Sequence, residues 1–209
     1  MERITLTSGN VEECASRAAE VLRAGGVVLY PTDTLYGLGG DALSDTAVAN
    51  ICSIKGRDEG KPVHAIVADM AMAEKFGNVT QHAQLLAKKF GGKVTLVVKK
   101  VSEVDTGIAR GISTFGFRIP DNEFCIALTR SFGGPVTATS ANTSGLPSAR
   151  RVDDILAQLG ASAEKIDLVI DAGELPERKP STVVDLSGAG PDILREGAVP
   201  AAEIRALLD

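Results

Sequence analysis

The sequence predicts an α/β fold, a mixed sheet with helices laid against it. Three observations lead there. Apolar runs of strand length and apolar stripes of helical spacing alternate through the first half of the chain. In the second half the strand-like runs follow one another over connections too short for a parallel crossover, so some neighbours must pair antiparallel. No internal repeat, low-complexity tract or Pro/Gly-rich linker divides the 209 residues, and one domain spanning 1–209 is expected.

The first helix is expected to start at Asn10, with Glu13 three residues on in a capping-box-like arrangement. Ala15, Ala18, Ala19, Val21 and Leu22 give it an apolar stripe, and Gly25-Gly26 stop it. Val27-Val28-Leu29-Tyr30 is an apolar strand. Pro31 then turns the chain into Thr32-Asp33-Thr34, and Gly37, Gly39 and Gly40 would let backbone come close to a ligand. Ser44 or Asp45 caps a second helix facing inward through Ala47, Val48, Ile51 and Ile54, which delivers Lys55 and Arg57 at its end. A strand over 63–67 follows. Helices over 69–76 and 80–90 are separated by Gly77-Asn78, and Gly91-Gly92 end the second. Residues 93–99 form a strand, 107–114 a glycine-containing connection, and 115–120 a short strand closed by Pro120. Asp121 or Asn122 starts a helix to Ser131. One strand is expected over 135–140, where residues are small or hydroxylated, then a helix over 153–159. Strands over 168–171, 182–186 and 193–195 precede a closing helix over 200–207, with proline in its first turn.

Hydrophobic residues make up 44% of the chain and charged residues 23%, enough for a sizeable core in a soluble protein. The net charge of −5 argues against a surface basic all round and leaves room for a local basic cleft. Cys14, Cys52 and Cys125 are odd in number and widely spaced, which points away from a disulfide framework or zinc site and fits a reducing cytosol. His64 and His82 lack ligand spacing and read as surface or loop histidines; no metal site is expected. No signal core and no span of membrane length are present, so the expected location is the cytoplasm.

Several chemistries are unsupported. Gly91-Gly92-Lys93-Val94-Thr95 lacks the glycine at 87 and the hydroxyl after lysine that a phosphate-binding P-loop needs. No dinucleotide fingerprint follows a strand, and no nucleophile elbow surrounds Ser140, so covalent catalysis is not indicated. What remains are polar groups at strand ends and in loops, where α/β proteins place ligands. Lys55, Arg57 and Lys61 crowd one glycine-punctuated loop, which suits a polyanion or is simply a solvated loop. Thr32-Asp33-Thr34 is a ligand-facing segment or only a turn. Ser140 and Asn142, two apart, face the same way in an extended chain and can meet phosphate or ribose. Arg118 at a strand end can clamp a carboxylate or form a structural ion pair. Ser181 begins a strand and Arg195 ends one.

Together, the segment from Tyr30 through Lys55-Gly56-Arg57 to Pro62 and the triplet Ser140-Ala141-Asn142 resemble the YrdC-type family of threonylcarbamoyl-AMP synthases, in which a Lys-x-Arg and a Ser-x-Asn pair recur around a nucleotide cleft. The resemblance runs from about 25 to 197. It implies a twisted, open mixed sheet with a wide concave cleft. It implies an enzyme joining L-threonine, bicarbonate and ATP into threonylcarbamoyl-AMP and pyrophosphate, with Mg²⁺ carried by the nucleotide. The product would pass to a tRNA threonylcarbamoyl-transferase machinery acting on the adenosine beside the anticodon, and contact with tRNA would follow. By the resemblance Lys55 and Arg57 would be catalytic. Lys55, Arg57, Lys61, Ser140, Asn142 and Arg195 would contact the nucleotide, its phosphates or the carbonate. Thr34, Arg118, Thr137 and Ser181 would contact threonine. The family's Trp-Pro-Gly-Pro before the 93–99 strand is replaced here by Lys89-Phe90-Gly91-Gly92-Lys93, and the chain would be the single-domain form. Two other functions compete: a carbamoyl-adenylate-handling enzyme of the hydrogenase-maturation type, and a double-stranded RNA-binding module without catalysis, which the acidic charge and absence of tryptophan weaken.

Overall fold

The computed structural model describes residues 1–57 and 62–208. The fold is α/β and its pairing is mixed, with the strands divided between two sheets. Strands β1 (Glu2–Thr5), β2 (Val28–Pro31), β3 (Tyr36–Gly39), β8 (Thr139–Ser140) and β9 (Leu168–Asp171) form the first, in the order β1-β9-β2-β3-β8. Strands β4 (Ala65–Ile66), β5 (Val94–Lys99), β6 (Thr114–Arg118), β7 (Val136–Thr137), β10 (Thr182–Asp185) and β11 (Asp192–Arg195) form the second, in the order β11-β10-β5-β6-β4-β7.

The strand expected over 135–140 is the seam between them. Val136 and Thr137 pair with Ile66 and Ala65 in the second sheet. Thr139 and Ser140 pair with Leu38 and Gly37 in the first. Thr137 N–H also donates to the Gly40 carbonyl at 2.9 Å, so the run bonds to both sheets within five residues. The strand expected over 63–67 shortens to β4 because its first residues turn toward this seam: the His64 carbonyl accepts Ala138 N–H at 2.7 Å.

Two strands escape the pattern-based expectation. Glu2-Arg3-Ile4-Thr5 has one apolar residue and is held as β1 by parallel pairing with β9. Tyr36-Gly37-Leu38-Gly39 carries two glycines, poor strand formers, and is held as β3 between β2 and β8. Its glycines make room for the core. A Cβ on Gly39 would come within 2.8 Å of the buried Tyr30 ring, and one on Gly40 within 3.2 Å of the Ala47 methyl. The expected approach to a ligand therefore applies to Gly37 alone, which lines the cleft described below.

Helices fill three layers. α1 (Val11–Arg23) and α5 (Glu123–Phe132) pack through Ala15, Ala18, Ala19, Phe124 and Leu128 against β2 and β9, and reach Ile66 of the second sheet. α2 (Asp45–Lys55) and α6 (Val152–Leu159) bring Ile51, Ile54, Val152 and Ile155 onto Leu29, Leu38 and Val169. α3 (Met70–Glu74), α4 (Gln81–Phe90) and α7 (Ala201–Leu208) cover the second sheet over Phe115, Phe117 and Leu96. Burying each such large side chain contributes roughly 1.5–3 kcal/mol. Ser44, Asp69, Thr80 and Asn122 cap four of these helices, each accepting the backbone N–H three residues on. Asn10 precedes α1 as expected but forms no capping box: its side chain turns back, accepting Thr7 N–H at 2.8 Å and donating to the Thr5 carbonyl at 2.9 Å. It closes the turn out of β1 instead.

Candidate active site

A cleft of about 560 Å³ opens where the two sheets meet. The β2–β3 connection contributes Thr32 and Thr34, and the chain after α2 contributes Arg57. β6 gives Arg118, the seam and the loop after it give Ala138, Thr139, Ser140 and Asn142, and the far wall holds Arg178, Ser181 and Arg195.

Arg118 is buried against Asp33. Its Nη1 donates to Asp33 Oδ1 at 2.5 Å, to the Gly92 carbonyl at 3.1 Å and to Thr34 Oγ1 at 3.3 Å. The structural ion pair anticipated as one reading of Arg118 is therefore present, and Arg118 lines the cleft as well. The carboxylate of Asp33 lies on Gly92, where a Cβ would come within 1.9 Å of Oδ2. The 3₁₀ turn Gly91–Lys93, the stretch that departs from the family motif, is thus shaped to receive Asp33. The turn reading of Thr32 also holds, since its Oγ1 accepts the N–H groups of Thr34 and Leu35 at 3.1 and 3.2 Å.

Lys55 and Arg57 part company at Gly56, whose φ of 56° ends α2 in the left-handed region. Arg57 enters the cleft. Its Nη2 donates to the Pro62 carbonyl at 2.8 Å and its Nη1 to Thr139 Oγ1 at 3.4 Å, while Nε is buried without a partner. Lys55 runs beneath the wall and does not line the cleft. Its ammonium donates to the Ser140 carbonyl, to the Asn142 carbonyl at 2.9 Å and to Asn142 Oδ1 at 3.2 Å. Burial, and then Arg57, press its pKa down to about 8, while the three carbonyl oxygens hold the proton in place. Lys55 therefore shapes the Ser140–Asn142 loop, where direct contact with a nucleotide was expected. Lys61 lies outside the described residues.

Ser140 and Asn142 do meet, through a turn and not an extended chain. Asn142 N–H returns to the Ser140 carbonyl at 3.0 Å, and Ser140 Oγ donates to Asn142 Oδ1 at 2.5 Å. Ser181 shares a 2.7 Å hydrogen bond with Thr95 and accepts from Arg195 Nη2 at its carbonyl, 2.8 Å away. Burial, Arg118 and Arg57 lower the pKa of Arg195, the mark of cations converging on one space. Thr137 is the residue that the structure removes from the expected site. It is fully buried, its Oγ1 accepts Gly40 N–H at 2.8 Å and donates to the Leu38 carbonyl at 3.0 Å, and its own carbonyl accepts Tyr30 Oη. Its hydroxyl stitches the seam, because Ala138 redirects the chain between Thr137 and Thr139.

Arg178, Arg150 and His64 are among the cleft residues that were not anticipated. Arg178 Nη1 donates to the Asp33 carbonyl at 2.5 Å, and Arg150 pairs with Glu174 at 2.5 Å. Both belong to basic doublets, Arg150-Arg151 and Arg178-Lys179, in loops near proline; the doublets were a visible signal, but their convergence was not. His64, expected as a surface or loop residue, faces the cleft, and burial with Arg195 and Arg57 nearby pushes its pKa down to about 4. His82 is exposed, as expected. Among the described residues, no cluster of His, Cys, Asp and Glu can hold a metal ion, and no helix is long and apolar enough to cross a membrane.

Comparison with known proteins bears on this cleft. The Sua5/YciO/YrdC family model, described as telomere recombination, matches residues 20–197. A threonylcarbamoyl-AMP synthase of Pyrococcus abyssi is 35% identical over 201 residues, covering 95% of this chain and 58% of the relative. A threonylcarbamoyl-AMP synthase of Mus musculus is 39% identical over 197 residues, covering 91% of this chain and 69% of the relative. The crystal structure of Pyrococcus abyssi Sua5 complexed with L-threonine superposes with a TM-score of 0.87 at 32% identity, covering 99% of this chain and 60% of that one. The chain spans about three fifths of the length of its Pyrococcus relative.

Proposed function

The chain belongs to the Sua5/YciO/YrdC family, and we propose that it joins L-threonine, bicarbonate and ATP into threonylcarbamoyl-AMP, releasing pyrophosphate, in the cytoplasm. The observation that carries this reading is the convergence of five guanidinium groups, those of Arg57, Arg118, Arg150, Arg178 and Arg195, on one cleft of a protein with net charge −5. That arrangement suits a reaction in which a carbamate attacks the α-phosphorus of ATP and charge grows on the departing pyrophosphate. No protein nucleophile is needed.

Arg57 and Arg195, with Ser140 and Asn142, would take the nucleotide, and Lys61 would join them. Lys55 acts as a positioning residue that holds the Ser140–Asn142 loop. Thr34, Arg118 and Ser181 would take threonine, its carboxylate meeting a guanidinium already aligned by Asp33. Ala138 and Thr139 line a niche for its methyl, worth about 1–3 kcal/mol of preference over serine. Mg²⁺ would be held chiefly by the nucleotide's own phosphates, since the cleft wall is cationic. Residues 1–209 would act as one domain, and the product would pass to a tRNA threonylcarbamoyl-transferase system. The test is pyrophosphate release from ATP, Mg²⁺ and bicarbonate with each amino acid in turn. Release should depend on threonine; turnover indifferent to the amino acid supplied would refute the assignment.

A further inference from the structure

The His64 side chain forms none of the hydrogen bonds that hold the cleft together. Its backbone is tied to the seam through Ala138 N–H. Its ring lies on Gly116, where a Cβ would come within 2.2 Å of Cδ2. The ring faces the cleft and, among the described residues, forms no hydrogen bond. β4 runs parallel to β6 with Ile66 beside Arg118. Gly116 and Arg118 point to the same face of β6, about 7 Å apart along the strand, and the His64 ring covers the Gly116 position beside Arg118. A threonine whose carboxylate meets Arg118 has its amine only two bonds from the carboxylate carbon, close enough for the amine to turn toward His64.

We propose that His64 accepts the proton that the threonine ammonium must lose before its nitrogen can attack bicarbonate, a step that rests on the synthase function proposed above. The ammonium gives one proton to the imidazole. The freed amine forms an N–C bond to bicarbonate, a C–O bond breaks, and water leaves carrying a second amine proton. The carbamate remains, and the imidazolium returns its proton to solvent. Elsewhere the cleft wall offers guanidinium groups, which cannot accept a proton, and Glu177, on the exposed far segment; Asp33 lies behind the wall, bound to Arg118.

The same surroundings supply a control. The charged groups that line the cleft with the ring are Arg57 after α2, Arg118 on β6, Arg150 in the loop before α6, Arg195 on β11, and Arg178 with Glu177 on the far segment. Burial, then Arg195 and Arg57, keep the imidazole a weak base with a pKa of about 4. A triphosphate lying on those two arginines offsets their charge and raises the basicity of the ring toward its ordinary value. Threonine is then activated only when ATP is already present to trap the carbamate.

The chain has two histidines, so NMR titration resolves His64 with exposed His82 as an internal control. Binding of a non-hydrolysable ATP analogue with Mg²⁺ should raise the His64 pKa by about one unit or more and leave His82 in place. No rise overturns the proposal, and this arm needs no variant. In the second arm His64→Gln should lose roughly 10²-fold in pyrophosphate release at neutral pH. The deficit should shrink toward alkaline pH, where threonine deprotonates unaided, and affinity for the analogue should be unchanged. Full activity at every pH, or a loss that does not vary with pH, also overturns it. Wild-type protein that releases no pyrophosphate with threonine would instead refute the synthase function itself.

Discussion

Arg57 sits half-buried with one terminal nitrogen on the Pro62 carbonyl and Nε without a partner. An unsatisfied buried donor costs about 1–3 kcal/mol, so removing this side chain relieves one penalty while breaking two modest hydrogen bonds, to the Pro62 carbonyl and to Thr139. Arg57→Ala should therefore melt near the wild-type temperature yet lose about 3–4 kcal/mol of transition-state stabilisation, roughly 10²–10³ in rate. Arg57→Lys should recover only part of it, because an ammonium lacks the fork. Circular dichroism melts beside a pyrophosphate assay separate the outcomes: a collapsed melting temperature would make Arg57 structural. His64 makes a second residue-scale prediction. Its folded pKa of about 4 lies below the ordinary 6.5, so between these values the unfolded chain binds a proton that the folded one does not. Stability is then fully present above the unfolded pKa and falls by roughly 3 kcal/mol as acid is added across that window. His64→Gln should flatten this part of the stability curve; parallel acid profiles for the two proteins would assign the loss to other groups.

At the scale of elements, Asp33 ties three pieces of chain together: the β2–β3 connection, the end of β6 and the turn after α4. Arg118→Ala strands the Asp33 carboxylate in a buried site, which costs about 3–5 kcal/mol. Arg118→Ala combined with Asp33→Ala should regain part of that, and denaturant unfolding of the single and double variants measures the coupling. Strictly additive losses would mean the pair does not act as a unit. Gly92→Ala tests the same clasp from the other side. Its Cβ would meet Asp33 Oδ2 at 1.9 Å and the Asp121 backbone nitrogen at 2.8 Å, and neither can swing away. A cost of about 1–3 kcal/mol is expected, with threonine affinity lost and nucleotide affinity spared. Calorimetry with each ligand decides; an equal loss for both would put the clasp under the whole cleft.

For the molecule as a whole, the arginine cleft sits in an acidic body, net charge −5. Clefts lined by one sign of charge focus their field and speed the arrival of an opposite charge by roughly 10–10³-fold. Screening within about 10 Å at 0.1 M salt removes that advantage. Nucleotide association measured by stopped flow should therefore slow steeply with ionic strength while dissociation changes less. Association indifferent to salt would mean that the acidic surface cancels the cleft's field.

Local order was written into the sequence. Ser44, Asp69, Thr80 and Asn122 cap helices where side-chain chemistry says they should, and Leu168–Asp171 is a strand from its apolar pattern alone. The family resemblance carried by the Lys-x-Arg and Ser-x-Asn pairs implied a cleft; Arg57, Ser140 and Asn142 line the cleft of this structure and Lys55 does not. Tertiary structure decided the rest. Glu2–Thr5 and Tyr36–Gly39 are strands because neighbours supply their hydrogen bonds, which no property of those residues announces. Thr137 and Thr139 would share a face in an unbroken strand, yet the chain changes sheets at Ala138, burying one hydroxyl in the seam and leaving the other in the cleft. Lys55 and Arg57 look equivalent in sequence and part at a left-handed glycine, one beneath the wall and one inside it. Arg178 and His64 join the site from separate segments. Spacing records which side chains a segment can offer, whereas the pairing of distant strands decides which of them face the same space.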